Sequence, residues 1–214
     1  MGLRDTFTAG LAKQLGHPSG LRGRVVGALL NRANRAAITG AAEALDLEGG
    51  ETVADLGFGG GLGLALLLRA TGETGTVHGI DISTTMLAKA RSAFQTETAA
   101  GRLRLREGSL TKLPLADDSL DGAITVNTVY FVEDLDLALA EMIRVLAPGG
   151  RFVLGIGNPD AMAASPVTAH GFRIRSLDVV EAALANAGLT ITGRTEIPRR
   201  DFSFHLLSAS NRAA

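Results

Sequence analysis

The sequence predicts an open α/β fold, a mostly parallel sheet flanked by helices, and three observations carry that reading. After Gly50, short apolar runs alternate with longer stretches of helical periodicity, the signature of parallel strands joined by right-handed crossovers. The last two strand-like runs have a six-residue link and no helix between them, which requires that pair to be antiparallel. The chain has 214 residues, 46% of them hydrophobic, enough to bury a core without covalent staples.

The first 50 residues read as helical. Leu21, Val25, Ala28, Leu29 and Arg32 fall near 3.6 spacing, and a second short segment from Ile38 to Leu45 is ended by Gly49-Gly50. The stretch from Thr52 to Leu56 reads as a buried strand, followed by a helix from about Gly61 to Ala70. Thr76 to Ile80 is the next strand, and Ser83 is placed to cap a helix to about Ala99. Leu103 to Leu105 and Gly122 to Val126 are further strands. Asp134 can cap a helix to Leu146 that Pro148-Gly149-Gly150 stops, ahead of a strand at Phe152 to Leu154. Ser176 to Ala187 is a helix, and Leu189 to Thr195 and Phe202 to Ser208 are the closing strands.

Composition removes several chemistries. With no cysteine, disulfides, thiolate metal sites, iron–sulfur clusters and cysteine nucleophiles are excluded. Twenty-one basic residues against 22 acidic, with 4% aromatics, argue against a dedicated nucleic-acid binder. Apolar runs such as Leu62 to Leu68 are far short of a membrane span. No leader-like pattern opens the chain, so the expected location is the cytoplasm. Charge is uneven, however. Residues 1–42 hold six basic groups (Arg4, Lys13, Arg22, Arg24, Arg32, Arg35) against Asp5, a balance of +5, which leaves −6 on the remainder. That excess reads either as a solvated helical face or as a basic lid over an anionic acceptor or an acidic membrane surface.

In open α/β sheets, ligands bind beyond the carboxyl ends of the strands where strand order reverses. The loop there reads Asp55-Leu-Gly57-Phe-Gly59-Gly60-Gly61-Leu-Gly63. So dense a glycine turn lets backbone approach a ligand and opens a helix whose amides point outward. The dinucleotide pattern fits badly, because its third glycine would fall on Leu62 or Leu64. Asp81, 26 residues after Asp55, can accept from both hydroxyls of a ribose, with Ile82 beside it to cover a base. The structural alternative for Asp81 is a carboxylate stabilised at a helix start. Arg144-Val-Leu-Ala-Pro-Gly149-Gly150 turns the chain sharply before a strand.

Together with the Leu113-Pro-Leu115 and Asp121 stretch, these motifs resemble, in order over about residues 50–210, the class I S-adenosylmethionine-dependent methyltransferases of small-molecule type. The resemblance implies a Rossmann-like seven-stranded sheet of order 3-2-1-4-5-7-6 with strand 7 antiparallel. Residues 1–50, which precede the first strand and carry an apolar face that needs cover, are expected to form a helical arm or lid, and residues 51–214 the cofactor-binding domain. Asp55 would hold the methionine ammonium, Gly57, Gly59 and Gly61 would line methionine and ribose, and Asp81 would bind the ribose hydroxyls. Ile82 would pack on adenine, Leu110 would be a further cofactor-binding residue, and Asn127 would contact the amino-acid end. Where the family usually carries an aspartate for the adenine amino group, this chain has Ser109, a neutral acceptor without charge assistance. No metal is implied.

Methyl transfer from a sulfonium is an in-line displacement in which the protein supplies alignment and a dry pocket. A base is needed only where the nucleophile must lose a proton, and Tyr130, His170, His17 and Glu133 fall near the expected mouth. His78 and His205 lie within strands. Acceptor choice should come from the N-terminal arm and residues 155–175. The resemblance leaves quinone, polyketide, amine and phospholipid-headgroup acceptors open, and O-, N- and C-methylation with them. Members that methylate arsenic rely on cysteines, which this chain lacks. Two other readings stand beside this one: a non-catalytic S-adenosylmethionine-binding partner subunit, and an aminopropyl-type transferase. A monomer or a homodimer is expected, with peripheral membrane contact through the basic arm as a further expectation.

Overall fold

The computed structural model describes residues 32, 34–166, 168–169, 171–199 and 202–211. Most of the basic arm, His17, Arg22, Arg24 and His170 lie outside the described residues. A helix over 34–43 (α1) leads into the central strand β1 (Thr52–Leu56). Next come α2 (Leu62–Ala70), β2 (Thr76–Asp81), α3 (Thr84–Ala93), α4 (Gln95–Ala99) and β3 (Leu103–Glu107). The second half holds β4 (Leu120–Val126), a 3₁₀ turn at Val129–Phe131, α5 (Leu135–Val145) and β5 (Leu146–Gly157). It closes with α6 (Pro159–Ala163), α7 (Leu177–Asn186), β6 (Leu189–Pro198) and β7 (Ser203–Asn211).

The sheet has the order β3-β2-β1-β4-β5-β7-β6. Pairing is parallel from β3 to β5, and β7 runs antiparallel to both β5 and β6. Strand alternation feeds two cores, one on each face. Ala54, Leu56 and Ile80 join Leu139, Met142, Val180 and Leu184 from α5 and α7. Val53 and Val77 join Leu64, Leu67, Met86 and Leu87 from α2 and α3. Ala37, Ala41 and Leu45 belong to that second core, so the stretch containing α1 is a packed wall of the domain. A Cβ on Gly40 would stand 2.7 Å from Ile197 Cδ1, which shows how closely α1 approaches β6.

Local chemistry explains the helix starts. Ser83, Asp134, Asn158 and Ser176 each accept from an amide three residues on, at 3.3, 2.9, 3.0 and 3.4 Å. Two boundaries differ from expectation. The helix predicted to run to Ala99 breaks at Phe94 (φ −118°, ψ 43°), whose ring packs beside Gly61 and the second core. β5 begins at Leu146, because Pro148-Gly149-Gly150 forms an irregularity within the β4–β5 register instead of a stop before it. Arg144 in that motif is a structural tie. Its guanidinium reaches Glu141 Oε1 (2.8 Å), Asp117 Oδ1 (2.6 Å) and the carbonyls of Leu113 (3.1 Å) and Leu115 (3.0 Å).

Candidate active site

The carboxyl ends of β2, β1, β4 and β5, with the start of antiparallel β7, form one row. Asp81 ends β2, the glycine loop follows β1, Asn127 follows β4, and Gly157 at the end of β5 pairs with Phe204 of β7. A cavity of about 980 Å³ lies along this row. That is near the upper end of the roughly 300–1,000 Å³ typical of ligand sites, which leaves room for two ligands side by side.

At Gly57 the chain must turn with φ +78°. Its N–H donates to Ile80 O at 2.7 Å, and a Cβ would stand 2.3 Å from Thr128 Cγ2. Gly57, Gly59 and Gly60 line the cavity. Gly61 instead serves as the N-cap residue of α2 and stays off the cavity wall.

Asp81 is buried and held by backbone from two loops. The Gly59 N–H donates to Oδ2 at 2.9 Å and the Ser83 N–H to Oδ1 at 2.8 Å. These two contacts fix the orientation of the carboxylate, whose oxygens can each accept more than one hydrogen bond. Beside it, Ile82 stays 41% exposed on the cavity wall, a large apolar surface open to a ligand. Asp55 is buried as well, and burial, with the Asp81 charge added, pushes its carboxyl up to about 8. No cation among the described residues offsets that push. A buried acid in this state favours a positively charged ligand. Gly63, which had not been singled out, makes this placement possible: a Cβ there would stand 2.1 Å from Asp55 Oδ2.

Asn127 adopts φ +58°, and its Oδ1 accepts from Tyr130 Oη and from Gly157 N, both at 3.2 Å. The Gly157 N–H also donates to Tyr130 Oη at 2.6 Å. Burial drives the Tyr130 phenol well above its ordinary range, so it stays protonated as a donor at neutral pH. Thr125 and Thr128 share a short hydroxyl contact beneath this turn. Ser109 is exposed at the far end of the cavity, its Oγ 2.9 Å from Thr111 Oγ1 and accepting from Thr111 N at 3.2 Å, with buried Leu110 next to it.

Glu133 lines the mouth but pairs with Arg173 at 2.9 Å. Arg175 clamps the same turn through the carbonyls of Val129 and Val132, both at 2.9 Å, and Glu133 at 3.2 Å. His78 is buried in β2 away from the cavity, and His205 in β7 lies 3.4 Å from Asn158 Nδ2. Sequence reasoning missed the aromatic wall of Phe131, Phe172, Phe202 and Phe204, all on the cavity. Among the described residues no group of three or more histidines and acids gathers to hold a metal, and no helix is long and apolar enough to cross a membrane.

The comparisons with known proteins agree with this geometry. A family model described as "Methyltransferase domain" matches residues 54–154, the stretch from β1 into β5. This match and the curated relatives support a class I S-adenosylmethionine-dependent methyltransferase domain over this stretch. Among curated members, methyltransferase GfsG of Streptomyces halstedii is 33% identical over 166 residues, covering 72% of this chain and 58% of its own. The chain spans 58% of that relative's length and 28% of another's. Two solved structures share the fold of this chain. The complex of the Haloferax volcanii Trm112 methyltransferase activator with a methyltransferase has a TM-score of 0.76 at 22% identity, covering 99% of this chain and 100% of that one. An S-adenosylmethionine-dependent methyltransferase of Aquifex aeolicus has a TM-score of 0.70 at 21% identity, covering 86% and 96%. S-adenosylmethionine is the cofactor of this family, and the buried Asp55 carboxyl, which a cation would ionise, beside a backbone-held Asp81 fits a cationic, ribose-bearing ligand.

Proposed function

We propose that the protein transfers the methyl group of S-adenosylmethionine to a small-molecule acceptor held in the same cavity. The observation that carries this reading is continuity. A buried, uncompensated acid at Asp55 and a ribose-competent acid at Asp81 open without a barrier onto an aromatic-walled compartment. The cofactor brings a methyl group already activated on a sulfonium, so the acceptor atom gains the carbon while the breaking bond's electron pair returns to sulfur.

In this reading the residues of the chain bind, orient and exclude water. Asp55 accepts from the methionine ammonium, the loop at Gly57, Gly59 and Gly60 lies along the methionine and ribose, and Asp81 accepts from the ribose hydroxyls. Ile82, Leu110 and Ser109 receive the adenine. Asn127, held by Tyr130 and Gly157, faces the amino-acid end of the cofactor. Alignment in a dry cavity supplies most of the rate. Tyr130, held protonated, serves as a donor and not as a base; His17 and His170 lie outside the described residues.

Turnover is tested with methyl-labelled S-adenosylmethionine over a panel of small acceptors, reading both S-adenosylhomocysteine and labelled product. Product formation supports the proposal, and the position of the label separates O-, N- and C-methylation. Tight cofactor binding with no turnover on any acceptor would favour a non-catalytic subunit. Turnover that appears only with an added activator would point to the kind of dependence the Haloferax complex suggests.

A further inference from the structure

The acceptor half of the cavity has a definite chemical character. Phe131 and Phe172 meet edge to face with centroids 4.7 Å apart, and the Tyr130 ring lies 5.8 Å from Phe172. Phe202 and Phe204 form a second such pair at 5.0 Å. Phe131 and Phe172 pack with the core on one face of the sheet, Phe202 and Phe204 with the core on the other. The two pairs therefore wall the cavity from both faces of the sheet at the ends of β4, β5 and β7, and Met162 and Leu137 line it as well.

Charge points the same way. The charged side chains that line the cavity, among the described residues, are Asp55, Asp81, Glu133 and Asp134, all acidic. Glu133 is paired with Arg173 and Asp134 caps α5, while Asp55 and Asp81 belong to the cofactor end. Arg199 stacks over Phe202 at 5.1 Å but stays off the wall. An anionic acceptor would lose water against carboxylates with no cation among the described lining residues to compensate it. A cationic one would lose water against an aromatic wall whose nearby acids are only Glu133, paired with Arg173, and Asp134 at the start of α5.

We infer that the acceptor is an uncharged, largely apolar molecule gripped between the Phe131–Phe172 and Phe202–Phe204 pairs. The inference rests on the methyltransferase reading for the division of the cavity into two ends. It differs from the anionic acceptor that the basic arm suggests, and the arm itself lies outside the described residues.

A matched pair of fluorescent probes tests it on the whole chain, so that every cation on the arm is counted. N-phenyl-1-naphthylamine is uncharged, and 8-anilinonaphthalene-1-sulfonate carries the same body with an added sulfonate. Both are titrated with and without saturating S-adenosylhomocysteine, whose own binding is followed by calorimetry. The expected result is one-to-one binding of the uncharged probe, about ten-fold or more tighter than the sulfonate, the scale of an uncompensated buried charge. Phe172→Leu and Phe131→Leu should each weaken the uncharged probe about three- to ten-fold, the scale of an aromatic pair, with S-adenosylhomocysteine affinity unchanged. Equal or tighter binding of the sulfonate, no binding of the uncharged probe, or indifference to both leucine variants overturns the inference. Failure of S-adenosylhomocysteine to bind while the probe ranking holds overturns the cofactor reading alone.

Discussion

The carboxylate of Asp55 occupies the space that a side chain on Gly63 would need. A Cβ there would stand 2.1 Å from Oδ2 and 2.9 Å from Cγ, so the first strand can present its acid only because α2 begins with a bare backbone at its second position. Helix propensity alone would make Gly63→Ala stabilising by up to about 1 kcal/mol. The clash decides the opposite sign. Gly63→Ala should lower stability by about 1–3 kcal/mol, the scale of an overpacked core, and weaken S-adenosylhomocysteine binding. Thermal melts and calorimetry read the two effects.

Asp55 also sets a pH dependence. Its carboxyl sits at about 8 in the folded chain against an ordinary 3.8. A carboxyl raised on folding keeps its stabilising proton below the unfolded value and loses that contribution as pH rises through the folded one. The ligand-free protein should therefore lose stability between about pH 4 and pH 8, and Asp55→Asn should flatten that decline. Binding a ligand ammonium at pH 7 should expel the proton. Calorimetry of S-adenosylhomocysteine in buffers of different ionisation enthalpy measures that release directly; zero release would contradict the pairing.

His78 works in the other direction. Burial, with Arg106 and Arg104 adding to it, brings the ring down to about 4, so the folded chain holds it neutral. The unfolded chain takes up a proton first on acidification, and stability should fall between about pH 6.5 and pH 4. A pH series of thermal melts on His78→Gln should show a shallower acid limb than the unsubstituted chain. An identical limb would remove His78 from the account.

At the nucleoside end, Asp81→Ala should weaken S-adenosylhomocysteine by about 1.5–3 kcal/mol, the worth of hydrogen bonds to a charged acceptor. Ser109→Ala should cost only about 0.5–1.5 kcal/mol, because its hydroxyl is neutral. Calorimetry of both variants ranks them, and the reverse order would mean that the ribose and adenine ends are exchanged.

Much of this was readable from residue order because the governing constraints are local. The short link before Phe202 predicted the antiparallel β6–β7 pair that the structure shows, and the spacing of Gly57, Asp81 and Ser83 placed one turn, one strand end and one cap. Other parts depend on distances that sequence does not carry. Gly63 matters through an atom eight residues earlier, at a position where any helix former fits the pattern. Phe131, Phe172, Phe202 and Phe204 look like ordinary core residues until the Gly157–Phe204 pairing brings β7 back to the end of β5. Phe94 breaks a helix whose periodicity continues through it, because its ring is drawn toward the Gly61 turn.

The reversal of β7 also sets the order of assembly. Of the groups assigned to the cofactor end, those from Asp55 to Leu110 leave the ribosome first and Asn127 follows β4, while those of the acceptor end run from Tyr130 to Phe204. Phe204 closes the cavity from β7, which follows every other strand of the sheet in chain order. A nascent chain thus completes its cofactor-binding groups well before it has an acceptor compartment. The same order draws a natural seam after β4, where recombination could exchange acceptor preference while leaving the older half of the pocket intact.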